Sequence, residues 1–407
     1  MMYETALWDA IVVGCGPAGA VAGRELARRG FRVLLLEEHR EVGMPVQCAG
    51  LVSRRPLEIV RAPGAVLNSL DSARLISPGG RSILFGGMGE RAVVIDRAAF
   101  DRAAACEAID AGCNLSLGAR VDGLRIIPKG DVAGDGCVEL WVAGRHGKDR
   151  PRARLAIGAD GVQSAVARLC GIRPPPEILP GFEAELAGVR GPEGTATVLV
   201  GRNVAPGFFA WLIPSGGGRG LLGLCCEPGE VPAMAHFERL MENPALAPHI
   251  KNARILRYIA GSVPVSAAQA SFAERVLLVG DAAGQVKPIS GGGVYTGLRC
   301  ALMAAQTAAG ALEEEEFTRR RLSSYEKKWK GELGRELSIG RRIRKSYNHV
   351  TDGQMDQIVE MLDRPKLLAL ISARGDIDTP SELAKLLFRQ APGLLKFAGP
   401  LIKSLFK

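Results

Sequence analysis

Apolar residues enter this chain first as short unbroken runs. Ala10 to Val13 is one, and it stops at Gly14. A run with no polar interruption predicts a strand buried on both faces, as in a parallel sheet. From Ala18 to Arg29 the pattern becomes helix-like, and Phe31 to Leu36 is a second apolar run that closes on Glu37. The three segments predict one β-α-β unit. Ala73 to Ile76 and Ser82 to Phe85 predict short strands on either side of the turn Ser77-Pro-Gly-Gly80. A helix starts near Ile95 and lasts to about Ala111. Strands are predicted around Asn114–Arg125 and Val138–Val142, with a surface turn from Pro128 to Gly136 between them. Leu155 to Gly161 is a strand ending in a turn, and Pro174-Pro-Pro176 breaks the chain. Residues 177–265 alternate short apolar runs with Gly and Pro, which predicts an antiparallel sheet. Val276 to Asp281 returns to the parallel-strand pattern. The remainder reads as helical, with Glu313 to Lys345 as an exposed charged stretch.

These elements predict an α/β fold. A discontinuous Rossmann-type nucleotide domain covers 1–65, 96–175 and 266–310. An inserted antiparallel, β-rich substrate domain covers 66–95 and 176–265, and a C-terminal helical region covers 311–407.

Composition narrows the classes. The 407 residues are 47% hydrophobic, enough for a large core and more than one domain. No apolar run approaches the roughly 20 residues needed to cross a bilayer. The N-terminus has no basic region, so no signal peptide is expected. Nine cysteines without CxxC spacing point to reduced thiols in the cytoplasm. Cys225 and Cys226 read as core, and five scattered histidines give no metal site. The net charge of +9 suits an anionic partner. No nucleic-acid reader motif accompanies it, so nucleic acid is not expected. Leu383 to Lys407 holds five basic residues, no acid, and many Leu and Phe. That segment fits peripheral docking on an anionic membrane, on its inner face. The plainer reading, and the favoured one, is an amphipathic helix packed on its own domain.

The candidate chemistry begins at Gly14-x-Gly16-x-x-Gly19. The first glycine permits the tight turn, the second lets backbone approach a pyrophosphate, and the third lets helix pack on strand. The helix N-terminus offers free N–H groups, and Glu37, 18 residues beyond Gly19, can accept from a ribose diol. Two further segments follow, Gly158-Ala-Asp-Gly161 to Arg168, and Val276 to Gly284 with Lys287-Pro-Ile-Ser-Gly-Gly-Gly293. In this order the three resemble FAD-dependent enzymes of the glutathione-reductase class, the branch that includes aromatic hydroxylases. The resemblance implies an FAD-binding Rossmann domain and a set of FAD contacts. They are Gly14, Gly16, Ala18, Gly19 and Glu37 at the first turn, with Asp160 in the second motif. Asp281 is implied at the ribityl or ribose oxygens, and Gly292, Gly293 and Val294 beside the flavin ring. Arg97 is implied to reach FAD, and the backbone near Val121 to meet adenine. Gly218-Arg-Gly220-Leu-Leu-Gly223 matches the glycine string but lies between apolar strand-like runs, so it predicts a hairpin. With no separate NADPH domain, electrons must come from a transiently docking donor: NADPH, ferredoxin or another reduced carrier.

Two more segments narrow the branch. Gly43 to Ser53, containing Cys48, resembles the flavin loop of geranylgeranyl reductases. Pro206-Gly-Phe-Phe-Ala-Trp-Leu-Ile-Pro214 resembles their substrate-domain signature, with Phe209 where Tyr is typical and Ile213 where Phe is typical. This resemblance implies reduction of C=C bonds in isoprenoid lipid chains, by hydride from reduced flavin and a proton from elsewhere. It implies a tunnel lined by Phe208, Phe209, Trp211, Leu212 and Ile213, with Phe209, Trp211 and Ile213 as substrate residues. Cys48, with Ala49 and Gly50, is implied at the flavin; its thiol is a candidate catalytic group or a small residue filling a tight loop. A flavin monooxygenase and a quinone-linked electron-transfer flavoprotein are the alternatives. The second usually carries a cysteine-rich iron–sulfur module, and there is no cysteine after Cys300.

Overall fold

The computed structural model describes residues 7–128, 130, 136–144 and 147–397. The first apolar run is the strand Trp8–Val13, followed by the helix Pro17–Ala27 and the strand Val33–Glu37. Trp8–Val13 pairs in parallel with Val33–Glu37 on one side and Arg152–Gly158 on the other. Asn114–Leu117 and Val276–Leu278 extend these two flanks, also in parallel. Every residue of Val33–Glu37 is buried, which is why its sequence is a run and not an alternation. Helices Pro17–Ala27, Arg97–Asp110 and Val294–Glu313 cover one face through Ala20, Leu26, Phe100, Ala104 and Ala308. Alanines at these crossings let the helix backbones approach closely. The other face packs on an antiparallel meander of Arg120–Ile127, Cys137–Gly144 and Gly147–Asp149. The predicted strand at 114–125 is thus two strands, separated at Gly118, whose N–H binds the His39 carbonyl. The predicted turn at 128–136 lies mostly outside the described residues.

Residues 178–264 form most of a seven-stranded sheet, ordered 254–264, 178–187, 219–225, 209–216, 195–200, 72–76, 82–86. Its pairs are antiparallel except Ser72–Ile76 with Thr195–Val200. Gly216, Gly217 and Gly218 all have positive φ and turn the chain between Phe209–Gly216 and Arg219–Cys225. The Gly218–Gly223 string therefore runs into a strand. One face of this sheet lies under the helix Ala233–Met241, with Leu212, Leu222 and Leu224 against Phe237 and Leu240. Leu212, expected in the tunnel, belongs to this outer core, because successive side chains of a strand point to opposite faces. The inner face, with Ile213, Leu221 and Ile259, packs on Leu70 and Val94 and on Ala49 and Leu51. These come from a three-stranded sheet, Leu51–Val52, Ala92–Ile95 and Val66–Leu70, and the loop before it.

The charged stretch after Glu313 is two helices, Arg319–Glu332 and Gly334–Tyr347, and it is not simply exposed. Leu322, Tyr325 and Trp329 recur at helical spacing and are buried. Tyr325 donates to the Leu278 carbonyl at 3.0 Å, and Trp329 Nε1 to Ser271 at 2.9 Å. Helix Pro380–Gln390 packs Leu387 and Phe388 toward Leu367 and Leu394. The first part of the basic segment is thus joined to its own domain, and residues 398–407 lie outside the described residues. Among the described residues no helix is long and apolar enough to cross a membrane.

Candidate active site

The glycine turn is built by what is missing. Gly14 has φ +96°, and a Cβ there would sit 2.4 Å from the Ala159 carbonyl oxygen. A Cβ on Gly19 would sit 2.0 Å from the Gly14 oxygen. Helix, turn and the neighbouring 159–160 turn are therefore in backbone contact. At Gly16, the N-cap of the helix, nothing lies within 4 Å of where a Cβ would be, and no side chain caps the helix. The helix start is thus uncapped and open beside Gly16, as an anion site requires. Ala18 packs between Gly280 and Gly297 and joins this turn to the second half of the site.

Glu37 is buried, and Oε2 accepts from Cys15 N–H at 2.8 Å, which holds it at the turn. Oε1 accepts from His39 N–H at 3.0 Å and contacts His39 Nδ1 at 2.7 Å. A carboxylate has about four acceptor positions, so one remains. Val121 is buried in the strand next to Ala119, whose N–H binds the Glu37 carbonyl. Asp160 is engaged within its own turn. It accepts from Ser164 Oγ at 2.6 Å and Val166 N–H at 3.0 Å.

Arg97 opens the helix Arg97–Asp110, capped by Asp96. It makes a two-pronged pair with Asp101, each contact 3.2 Å. Burial opposes its charge, but Asp101 and the Cys48 thiol beside it outweigh this and hold its pKa up. Burial raises Asp281, and the Arg97 charge partly offsets that. Arg97 therefore lies among Cys48, Asp101 and Asp281, drawn from three distant segments. The Asp281 carboxylate lies beside Gly293, the N-cap of the helix Val294–Glu313, which has no side-chain cap either. Gly292 packs on the Lys287 side chain. Cys48 is half-buried and accepts from Gly50 N–H at 3.4 Å.

Phe209, Trp211 and Ile213 share the inner face of the large sheet. Phe208 stacks on Phe209 at 4.4 Å and touches the position of Gly291, in the turn before Gly293. Trp211 and Ala49 of the Cys48 loop pack against one apolar cluster, in which Ile213 is buried. Three functional candidates were not read from sequence. Lys287 and Asp378 are both buried and pair at 2.7 Å, and Ser53 and Arg55 also bind Asp378. They fasten the segment after helix Pro365–Arg374 to the loops around the site. Glu183 is the third; it accepts from Trp211 Nε1 at 2.7 Å. Its sequence signal was Glu183 and Glu185 alternating with Phe182, Ala184 and Leu186. Among the described residues no group of side chains could hold a metal ion.

A family profile described as an FAD binding domain matches residues 8–185. Digeranylgeranylglycerophospholipid reductase 2 of Methanopyrus kandleri is 32% identical over 97% of this chain and 100% of that one. Digeranylgeranylglycerophospholipid reductase 1 of Methanococcoides burtonii is 32% identical over 86% of each. The chain belongs to this reductase family. It is an FAD-dependent oxidoreductase with the Rossmann-type fold that the glycine motif predicts. A geranylgeranyl bacteriochlorophyll reductase-like protein of Thermoplasma acidophilum shares the fold. Its TM-score is 0.84 at 24% identity, over 96% of this chain and 98% of that one. A flavin-dependent brominase shares it at 0.70 and 17% identity, over 94% and 99%. The site fits the family's cofactor: an open helix N-terminus at Gly16, a carboxylate at Glu37 with an acceptor to spare, and Asp281 beside a second uncapped helix.

Proposed function

We propose that this enzyme hydrogenates C=C bonds in the isoprenoid chains of a membrane lipid. The observation that carries this is the aromatic inner face of the large sheet. Ala49 of the Cys48 loop packs on the same apolar cluster as Trp211, the Gln47 carbonyl lies 3.4 Å from where a Cβ on Gly261 would stand, and Phe208 lies against Gly291 in the turn leading to Gly293, so the sheet meets the cofactor loops. An isolated alkene offers no charge to grip. Its placement must come from apolar contact, and placement is a large part of lowering its barrier.

Bound FAD supplies the hydride. The free N–H groups after Gly16 hold its pyrophosphate, Glu37 accepts from a ribose, and Asp281 accepts from the hydroxyls nearer the flavin. Arg97 keeps Asp281 and Cys48 in one electrostatic cluster, and the helix start at Gly293 and Val294 offers N–H groups to the ring. Phe209 and Trp211 position the chain to be reduced. Among the described residues no second nucleotide turn is present, so the reductant, a nicotinamide or small redox protein, docks transiently. The lysine-bearing C-terminus brings the enzyme to an anionic membrane surface.

The test is incubation of holoenzyme, reduced by dithionite without oxygen, with a geranylgeranyl phospholipid. Lipid mass rising by pairs of hydrogens supports the reading. Unchanged lipid under these conditions, with an oxygenated product once air is admitted, contradicts it.

A further inference from the structure

Glu183 lies in the middle of the strand Ile178–Ala187. It is in register with Ile259 on one side and Gly223 on the other, and Gly223 is in register with Trp211. Trp211, Gly223, Glu183 and Ile259 thus form one row across the inner face. With only a hydrogen at Gly223, the indole can reach across. A Cβ there would stand 2.8 Å from the Glu183 Cβ and 2.9 Å from the Trp211 ring.

Its neighbour Glu185 is neutralised by Arg257 at 2.7 Å. Among the described residues Glu183 has no ion pair of its own. It is 4% exposed; Oε2 takes the Trp211 hydrogen bond, and Oε1 is buried with no hydrogen-bond partner. Burial pushes the carboxyl up to about 7, against the Trp211 hydrogen bond and the Arg257 charge, while Glu185 adds to the rise. Glu183 also belongs to the cofactor side of the sheet. The Cys225 thiol, pushed up to about 12 chiefly by burial, is raised further by Cys226, Glu183 and Cys48. A buried oxygen without a partner is costly as part of an anion. The cost falls when the group is protonated, and a protonated carboxyl in an apolar face is a proton source.

We propose that Glu183 donates the proton that completes alkene reduction. The assignment rests on the reductase reading above. One alkene carbon gains a hydride, with its electron pair, from the reduced flavin. The π pair of the alkene then forms the second C–H bond with the Glu183 proton. The Glu183 O–H bond breaks, leaving a carboxylate that Trp211 Nε1–H and Arg257 stabilise until solvent reprotonates it. No electrons pass through Glu183. Trp211 has a second task here: by holding Oε2 it leaves Oε1 as the proton-bearing oxygen.

Two measurements on the holoenzyme test this. In protein labelled with ¹⁵N-tryptophan, the Trp211 Nε1–H resonance, identified with Trp211→Phe, is followed from about pH 5 to about pH 9, a range that brackets the unperturbed titration of neutral-pH groups. It should shift in one step near pH 7 in wild type and stay still in Glu183→Gln. Glutamine still accepts from the indole but carries no acidic proton. Glu183→Gln should therefore keep its FAD and reduce geranylgeranyl phospholipid about 100-fold more slowly or worse, the usual share of a general acid. A purely structural role predicts rescue by glutamine. Wild-type rate in Glu183→Gln, or a Trp211 signal in a reducing wild type that does not titrate, overturns the assignment and leaves the reductase reading standing. Wild-type enzyme that reduces no lipid overturns the reductase reading, and the donor with it.

Discussion

The glycine turn and the inner face of the large sheet are opposite ways to build a site. At the turn, side chains are excluded, and backbone stands against backbone at Gly14, Gly19 and Ala159. On the sheet, function comes from side chains in register, with one glycine left small so that Trp211 can reach Glu183. A cofactor with charged phosphates is gripped by N–H groups, which every residue but proline owns. An apolar chain is gripped only by shape. The first kind of site tolerates almost no substitution, and the second tolerates changes that keep volume and lose chemistry.

The largest effect should come at the turn. Gly19→Val places carbon against the Gly14 oxygen, and a loss above about 4 kcal/mol is expected, the range of severe backbone and core lesions. Little folded, yellow protein should be recovered, as flavin absorbance per chain will show. A stable, FAD-loaded variant would break the contrast between the two regions.

A smaller effect concerns pH. Glu183 sits near 7 in the folded protein against an ordinary value of 4.5. Between these values the folded chain holds a proton that the unfolded chain has released. Stability must therefore fall as pH rises through the window and level off above it, by on the order of 3 kcal/mol. Burial raises Asp101 and Asp281 as well, and they add slope of the same sign. Glu183→Gln should flatten the dependence of Tm on pH without abolishing it. Parallel curves would mean that Glu183 ionises normally.

Asp281→Ala should weaken FAD by about 1.5–3 kcal/mol, the worth of a hydrogen bond to a charged group. FAD titration checks it, and unchanged affinity would remove Asp281 from the cofactor site. The smallest effect is at the C-terminus. Removal of 398–407 takes away Lys403 and Lys407, each worth about 1 kcal/mol near an anionic surface. Co-sedimentation with anionic vesicles should drop, and FAD should stay bound. Cutting at Leu383 instead would also remove Leu387 and Phe388 from their packing, so it is the poorer test.

The same contrast explains what the sequence discloses. The proposed cofactor half is local: the turn, Glu37, Arg97 and Asp281 each lie in a short string whose spacing is the signal. Glu183 acquires its meaning from an indole 28 residues away and from the small residue between them. Asp378 depends on Ser53, 325 residues away. No spacing rule reaches that far. The error at Leu212 came from reading an apolar run where alternation governs. The error after Glu313 came from charge hiding a sparse stripe, Leu322, Tyr325 and Trp329.

In the proposed function, cofactor loops and aromatic face form one site for alkene reduction. Its most direct test is a single turnover. Reduced holoenzyme is mixed with geranylgeranyl phospholipid under argon, and flavin absorbance is followed while the lipid is weighed by mass spectrometry. Flavin should reoxidise without oxygen, with one double bond saturated per FAD. Flavin that stays reduced beside unchanged lipid, and reoxidises only in air, would contradict the claim.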